Sequence, residues 1–330
     1  MNVPDSDNPA AGVAVQALHG QTMGTSWSVQ LVASRGTDLR ALHDGVQGCL
    51  DRLVAQMSTW EAESDISRYN RSPAGEWWPL QDEFRHVLRA ALEIASASGG
   101  AYDPTISPLV AAWGFGAHGG ARTVPSPERL QAARARVGWQ RVVMDPAGSR
   151  VRQPGGVELD LSAIAKGHGV DAVAAFLRRR GIDNALVEVG GELFGHGRKP
   201  DGQPWRVLVE SSPEEEADSD ELEPRVLVLD GIAVATSGDR WHAFEHDGHR
   251  YSHTIDPRSG QPVTEASAAV TVVAEDAMHA DAWATALTVM GAQAGHAFAL
   301  RHGLAARFLA RAPQGLRETM TPAFERHLHA

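Results

Sequence analysis

Asp281 and Thr285 stand four residues apart among alanines, in the segment ADAWATAL. On a helix that spacing puts both side chains on one face. The small neighbours Ala280, Ala282, Ala284 and Ala286 leave room for something to approach closely. A carboxylate and a hydroxyl are hard oxygen donors of the kind Mg²⁺ accepts. A helix-terminal Asp and a core Thr would give the same pattern without a metal. A second group is Asp160-Leu161-Ser162-Ala163-Ile164-Ala165-Lys166-Gly167, read as a small-residue turn between a strand and a helix. Backbone groups in such a turn are open to a ligand. Lys166 near a helix start adds to the positive end of the dipole, where phosphate binds well. A third group is His242, His246, His249 and His253. Their spacing suits a zinc-binding helix face, but Asp247-Gly248 in the middle predicts a type I′ hairpin, which would scatter the rings. His253 is a candidate proton acceptor, since imidazole titrates at about pH 6.5. Tyr251, Ser252 and Asp256 are close enough in sequence to orient it.

Other patterns fail on context. Gly114-Phe115-Gly116-Ala117-His118-Gly119 fits G-x-G-x-x-G, but no buried strand leads into it and no ribose-binding acid follows at the right distance, so it reads as a turn. The chain has neither a P-loop nor a G-x-S-x-G elbow. The formal net charge of -11 over 330 residues argues against nucleic acid, whose phosphates call for clustered Lys and Arg. The single cysteine, Cys49, permits no internal disulfide and reads as packing. The start, MNVPDSDNPAAGVAVQ, lacks a basic region and a long apolar run, and no run of about 18 apolar residues exists anywhere. The sequence as given therefore reads as cytoplasmic; a leader ahead of it would make the location periplasmic or membrane-anchored.

The elements that must position these residues follow from periodicity. Residues 1–20 read as a flexible arm, and 21–330 as one compact unit. Thr25 to Ala33 alternates and reads as a strand. Leu39 to Met57 and Glu83 to Ala97 carry helical apolar stripes. VELDL (157–161) reads as a buried strand, followed by the small-residue turn, the helix VDAVAAFLRRR ending at Gly181, and the strand ALVEV ending at Gly190-Gly191. Met278 to Gly291 reads as a helix rich in small residues. Residues 211–225 carry seven acidic side chains and two prolines and read as a solvated acidic surface loop.

Taken together, these segments resemble the ApbE family, the FAD:protein FMN transferases. The matching runs are Met23-Gly24-Thr25, Met57-Ser58-Thr59-Trp60 with Ser64 to Asn70, and Tyr102-Asp103-Pro104-Thr105 on to Gly116. They continue with DLSAIAKG (160–167), VEVGGEL (187–193), ATSGD (235–239), RYSHTIDPRSGQPV (250–263) and ADAWATAL (280–287). The resemblance covers about residues 20 to 310, in order. It implies an α+β fold with a mixed sheet and helices. It also implies a Mg²⁺-dependent transfer of FMN from FAD to a threonine hydroxyl of an acceptor protein, with AMP released. Met23, Trp60, Ala101, Tyr102, Asp103, Asp160, Lys166, Thr254 and Ile255 are then FAD contacts. Ala163, through its carbonyl, with Asp281 and Thr285, is the Mg²⁺ site, and His253 and Lys166 are the catalytic residues. Trp60 stands where the family more often has Tyr, and Thr254 where Ile is common. Two other readings share the same FAD site: a flavin-binding protein without transferase activity, and a metal-dependent FAD pyrophosphatase that uses water.

Overall fold

The computed structural model describes residues 12–209, 225–238, 243–247, 249–263, 267–312 and 315–328. Along the chain run β1 (Val13–Thr22), β2 (Thr25–Ser34), α1 (Leu39–Met57), α2 (Asp65–Arg71), β3 (Trp77–Pro79), α3 (Asp82–Ala97), α4 (Ser107–Ala112) and α5 (Pro127–Arg134). Next come β4 (Val143–Met144), β5 (Arg150–Arg152), α6 (Ser162–Arg179), β6 (Ala185–Val189), β7 (Glu192–His196), β8 (Trp205–Val209), β9 (Arg225–Leu229) and β10 (Ile232–Gly238). The last are β11 (Ala243–His246), β12 (His249–Ser252), β13 (Ser267–Ala274), α7 (Ala277–Met290), α8 (Ala292–His302), β14 (Ala305–Ala312), β15 (Gly315–Met320) and α9 (Pro322–Glu325).

Eight strands form one antiparallel sheet in the order β1-β2-β6-β7-β10-β13-β14-β15. One face buries Trp27, Val29, Leu31, Val187, Val270 and Phe308 against α1, α6, α7 and α8. The opposite face is covered by the β8–β9 ribbon and Phe324. A second core lies where α1, α3, α6 and α7 meet, around Leu53, Phe84, Ile164 and Met278. This is the α+β architecture expected from the sequence.

The strand at Thr25, the helices from Leu39 and Glu83, the ALVEV strand and the helix before Gly291 all form. Three expectations change. Residues 13–20 are not an arm: β1 pairs with β2 along its whole length. Its apolar signal is faint because it is an edge strand, with little beyond Leu18 and Thr22 buried. VELDL joins no ladder. Its backbone is instead satisfied by Asn70, whose amide accepts from Leu159 N–H (2.7 Å) and donates to Leu159 O (2.9 Å), and by Pro104 O, which accepts from Asp160 N–H (2.7 Å). A side-chain amide can stand in for a neighbouring strand, and alternation alone does not distinguish the two. The small-residue turn is the beginning of α6, bent at Ala163. Of the acidic stretch at 211–225, residues 211–224 lie outside the described residues.

The small residues of SAIAKGHG have a packing reason. A Cβ on Gly167 would collide with the carbonyl of Ala277, so α6 and α7 cross backbone to backbone there. Asp171 of α6 also accepts the N–H groups of Ala277 (2.8 Å) and Met278 (2.9 Å), capping α7 from outside its own chain segment. Gly167→Ala is expected to push the helices apart and lower stability by about 1–3 kcal/mol. Urea denaturation checks this, and an unchanged midpoint would refute it.

Candidate active site

Two tight turns begin the site. β1 and β2 are joined by Met23-Gly24, both at positive φ (49° and 72°), between the paired Thr22 and Thr25. Such a two-residue turn matches the twist of the strands it joins. Met23 occupies a backbone region uncommon for a side-chain-bearing residue, and its side chain packs against both cores beneath the helices. β6 and β7 are joined in the same way by Gly190-Gly191 (φ 61° and 99°), between Val189 and Glu192. The two turns lie side by side, with Gly190 N–H donating to Ser26 O at 3.0 Å. A Cβ on Gly190 would press on Thr25 and on the stem of Lys166.

Lys166 crosses these turns from α6. Its Nζ lies 2.6 Å from Glu192 Oε1 and 3.7 Å from Asp281 Oδ1. Both carboxylates are buried, at 3% and 6% side-chain exposure. Burial pulls the Lys166 ammonium down, but Asp281 and Glu192 outweigh it and hold its pKa above the ordinary lysine value. One cation cannot neutralise two buried carboxylates. Desolvation therefore pushes Asp281 up, with Lys166 opposing, and pushes Glu192 up to about 8.

The other Asp281 oxygen, Oδ2, accepts the Gly167 N–H at 3.1 Å. In an unbroken helix that amide would serve the carbonyl of Ala163, four residues back. Ala163 itself has non-helical angles (φ −93°, ψ 20°), so the ladder is distorted where its carbonyl lies. Thr285 follows Asp281 by one turn of the regular helix α7. A buried carboxylate, a hydroxyl and a carbonyl at a helix kink are hard donors that fit Mg²⁺.

The remaining expected residues divide between this cluster and its rim. Tyr102 is buried at 3% exposure, and its hydroxyl has no hydrogen-bond partner. Burial raises its pKa well above the tyrosine range, helped by Asp281, Asp160 and Asp103. Ala101 is buried beside it. The Asp103 carboxylate is occupied within the protein: it accepts from Thr105 N–H (2.8 Å), Thr105 Oγ1 (2.6 Å) and Trp139 N–H (3.1 Å). Asp160 Oδ1 accepts the Ser162 N–H at the start of α6. Trp60 presents 71% of its surface to solvent, open for stacking.

His253 follows the β11–β12 hairpin, whose pairing of His246 with His249 around Asp247 is the one expected. His246 and His249 are exposed beside that turn, and His242 lies outside the described residues. Among the described residues no cluster of three or more His, Cys, Asp and Glu could hold a metal. The His253 ring meets Phe115 edge-on, with centroids 6.4 Å apart. The neighbours expected to orient it have other partners. Asp256 grips Arg258 through both oxygens at 2.9 Å, Ser252 Oγ accepts Thr254 N–H, and Tyr251 stacks on Trp113. Thr254 and Ile255 are buried, held by Val263 N–H to Thr254 O and by a bridge from Ile255 to Pro262.

A sequence model of the ApbE family matches residues 23–308, the span that holds every one of these groups. The chain belongs to the ApbE family. It is 34% identical over 325 residues to the FAD:protein FMN transferase of Salmonella typhimurium, covering 98% of this chain and 92% of that protein. Its fold is similar to that of the apo form of the Pseudomonas stutzeri flavinyl transferase ApbE, with TM-score 0.89, 41% identity, and 97% and 98% of the two chains covered. It is also similar to the flavin transferase ApbE of Vibrio cholerae, with TM-score 0.87, 33% identity, and 96% and 100% covered. No helix among the described residues of this ApbE protein is long and apolar enough to cross a membrane.

Glu192 went unnoticed as a site residue in the sequence. The signal available was an acid directly after a Gly-Gly turn, opening the otherwise largely apolar strand ELFGH. Its raised pKa has a consequence with a definite sign. Between its ordinary value and about 8 the folded state holds a proton the unfolded chain has lost, so this group's contribution to stability falls as pH rises. Chemical denaturation from about pH 6 to about pH 9 should therefore show a decline that is smaller in Glu192→Gln. Parallel curves for the two proteins would refute the assignment.

Proposed function

We propose that this chain takes FAD and transfers its FMN half to a threonine hydroxyl of an acceptor protein, with Mg²⁺ bound at Ala163 O, Asp281 and Thr285. The observation that carries the reading is a half-buried Lys166 paired with the buried Glu192 and Asp281 in a chain of the ApbE family, with oxygen donors for a hard cation beside a cation for phosphate. When bound, the metal would supply charge neutralisation on the pyrophosphate. The rest falls to the protein's own side chains. Lys166 would neutralise developing negative charge on the phosphates. Met23, Tyr102 and the Thr254-Ile255 stretch would line the flavin nucleotide, and Trp60 would stack on its ring. The threonine Oγ would bond to the phosphorus of the FMN half as the bond from that phosphorus to the bridging oxygen breaks. AMP would leave with the electron pair, and the hydroxyl proton would pass to His253 or a nearby carboxylate. Positioning and charge stabilisation account for most of such a phosphoryl transfer.

The deciding experiment is incubation with FAD, Mg²⁺ and a candidate acceptor, followed by mass spectrometry. FMN on an acceptor threonine together with AMP supports the proposal. Free FMN with AMP would make the protein a pyrophosphatase, and bound FAD with no AMP a flavin-binding protein.

Two sets of variants test the residues. Asp281→Ala should abolish transfer while the far-UV circular dichroism stays unchanged; full activity of that variant in chelator would refute the metal site. His253→Ala should lower kcat by about 10²–10⁴-fold with near-normal FAD affinity, whereas His246→Ala and His249→Ala should change little. Loss of FAD binding with an unchanged kcat at saturation would make His253 a packing residue.

A further inference from the structure

We propose that Glu192 is a positioning residue that holds the Lys166 ammonium away from Asp281, keeping that carboxylate open to a divalent cation. The inference rests on the reading of Asp281 as a Mg²⁺ ligand.

The geometry around one oxygen carries it. Asp281 Oδ2 is committed to the Gly167 amide, so Oδ1 is the oxygen that an ammonium and a metal would contest. Lys166 Nζ stands 3.7 Å from it, an ion pair longer than a hydrogen bond, and 2.6 Å from Glu192 Oε1. The lysine stem is flexible and its three N–H donors can turn to any acceptor in reach. The shorter contact with Glu192 draws it away from a closer approach to Asp281. Glu192 is fixed for this by the Gly190-Gly191 turn, which starts β7 at this residue. Its second oxygen, Oε2, is buried without a hydrogen-bond partner. Without Glu192 the ammonium would close on Asp281 and set a positive charge where the metal must sit.

A negative charge at Glu192 would favour a cation even without holding Lys166, so the test must separate tether from charge. Titration calorimetry of the FAD-free protein with MgCl₂ alone, at about pH 9 where Glu192 is ionised, reads the dissociation constant. Glu192→Gln should weaken Mg²⁺ binding about tenfold, and the same change in a Lys166→Met background should alter it less than about twofold, the non-additivity expected of groups acting through one contact. Additive effects would mean that Glu192 contributes charge only, and would overturn the proposal. Glu192→Asp keeps the charge but shortens the reach, and should also weaken binding; unchanged affinity there would overturn it as well, and this variant decides if Glu192→Gln fails to fold. Asp281→Asn separates the two levels of the argument. If it binds Mg²⁺ as the unsubstituted protein does, the metal reading of Asp281 fails rather than the tether.

Discussion

The backbone crossing of α6 and α7 at Gly167 is the constraint on which the rest of the site depends. With no Cβ at Gly167, the helices approach until that residue touches the carbonyl of Ala277. That contact lets Asp281 accept the Gly167 amide and sets its other oxygen toward Lys166. The same approach lets Asp171 cap the first turn of α7, which aims Asp281 from a fixed helix start. A bend at Ala163 accompanies it. Helix packing, the broken ladder and the burial of a carboxylate are thus one event seen at three scales.

The sheet contributes the opposite wall through its turns rather than its faces. Met23-Gly24 and Gly190-Gly191 lie next to each other because β2 and β6 are neighbours. The Gly190-Gly191 turn, with both residues at positive φ, is tight enough for the Lys166 stem to lie against it. Glu192 is the first residue of β7, so its position is as firm as the ladder behind it. Side chains on such rigid supports are held in a fixed geometry. The buried cluster holds one cation against two carboxylates. That imbalance raises both acids and suits the place to a further positive charge.

The hairpin carrying His253 is a separate structural block. Phe244, Tyr251, Trp113 and Phe115 pack it on α4 and α5, and Trp113 Nε1 donates to Gly260 O. His253 follows this block and meets its Phe115 ring edge-on. Asp256, two bonds to Arg258 already made, shapes its own turn. The hairpin and the Lys166 cluster are thus built from different parts of the chain.

Motif spacing made much of this legible in advance. The i, i+4 pair Asp281/Thr285 needs only helical periodicity to share a face, and the Asp247-Gly248 hairpin needs only local turn chemistry. Local rules of this kind act within a few residues, so sequence expresses them directly. β1 was misread because an edge strand exposes most of its side chains and leaves little alternation to see. VELDL was misread because its backbone is satisfied by Asn70, roughly ninety residues away. The partnership of Lys166 with Glu192 and Asp281 joins residues 26 and 115 positions apart in sequence. No periodicity spans such separations. Which acid meets the lysine, and how both come to be buried, was decided only when α6 crossed α7 above the two turns, because burial and charge pairing depend on distance in space.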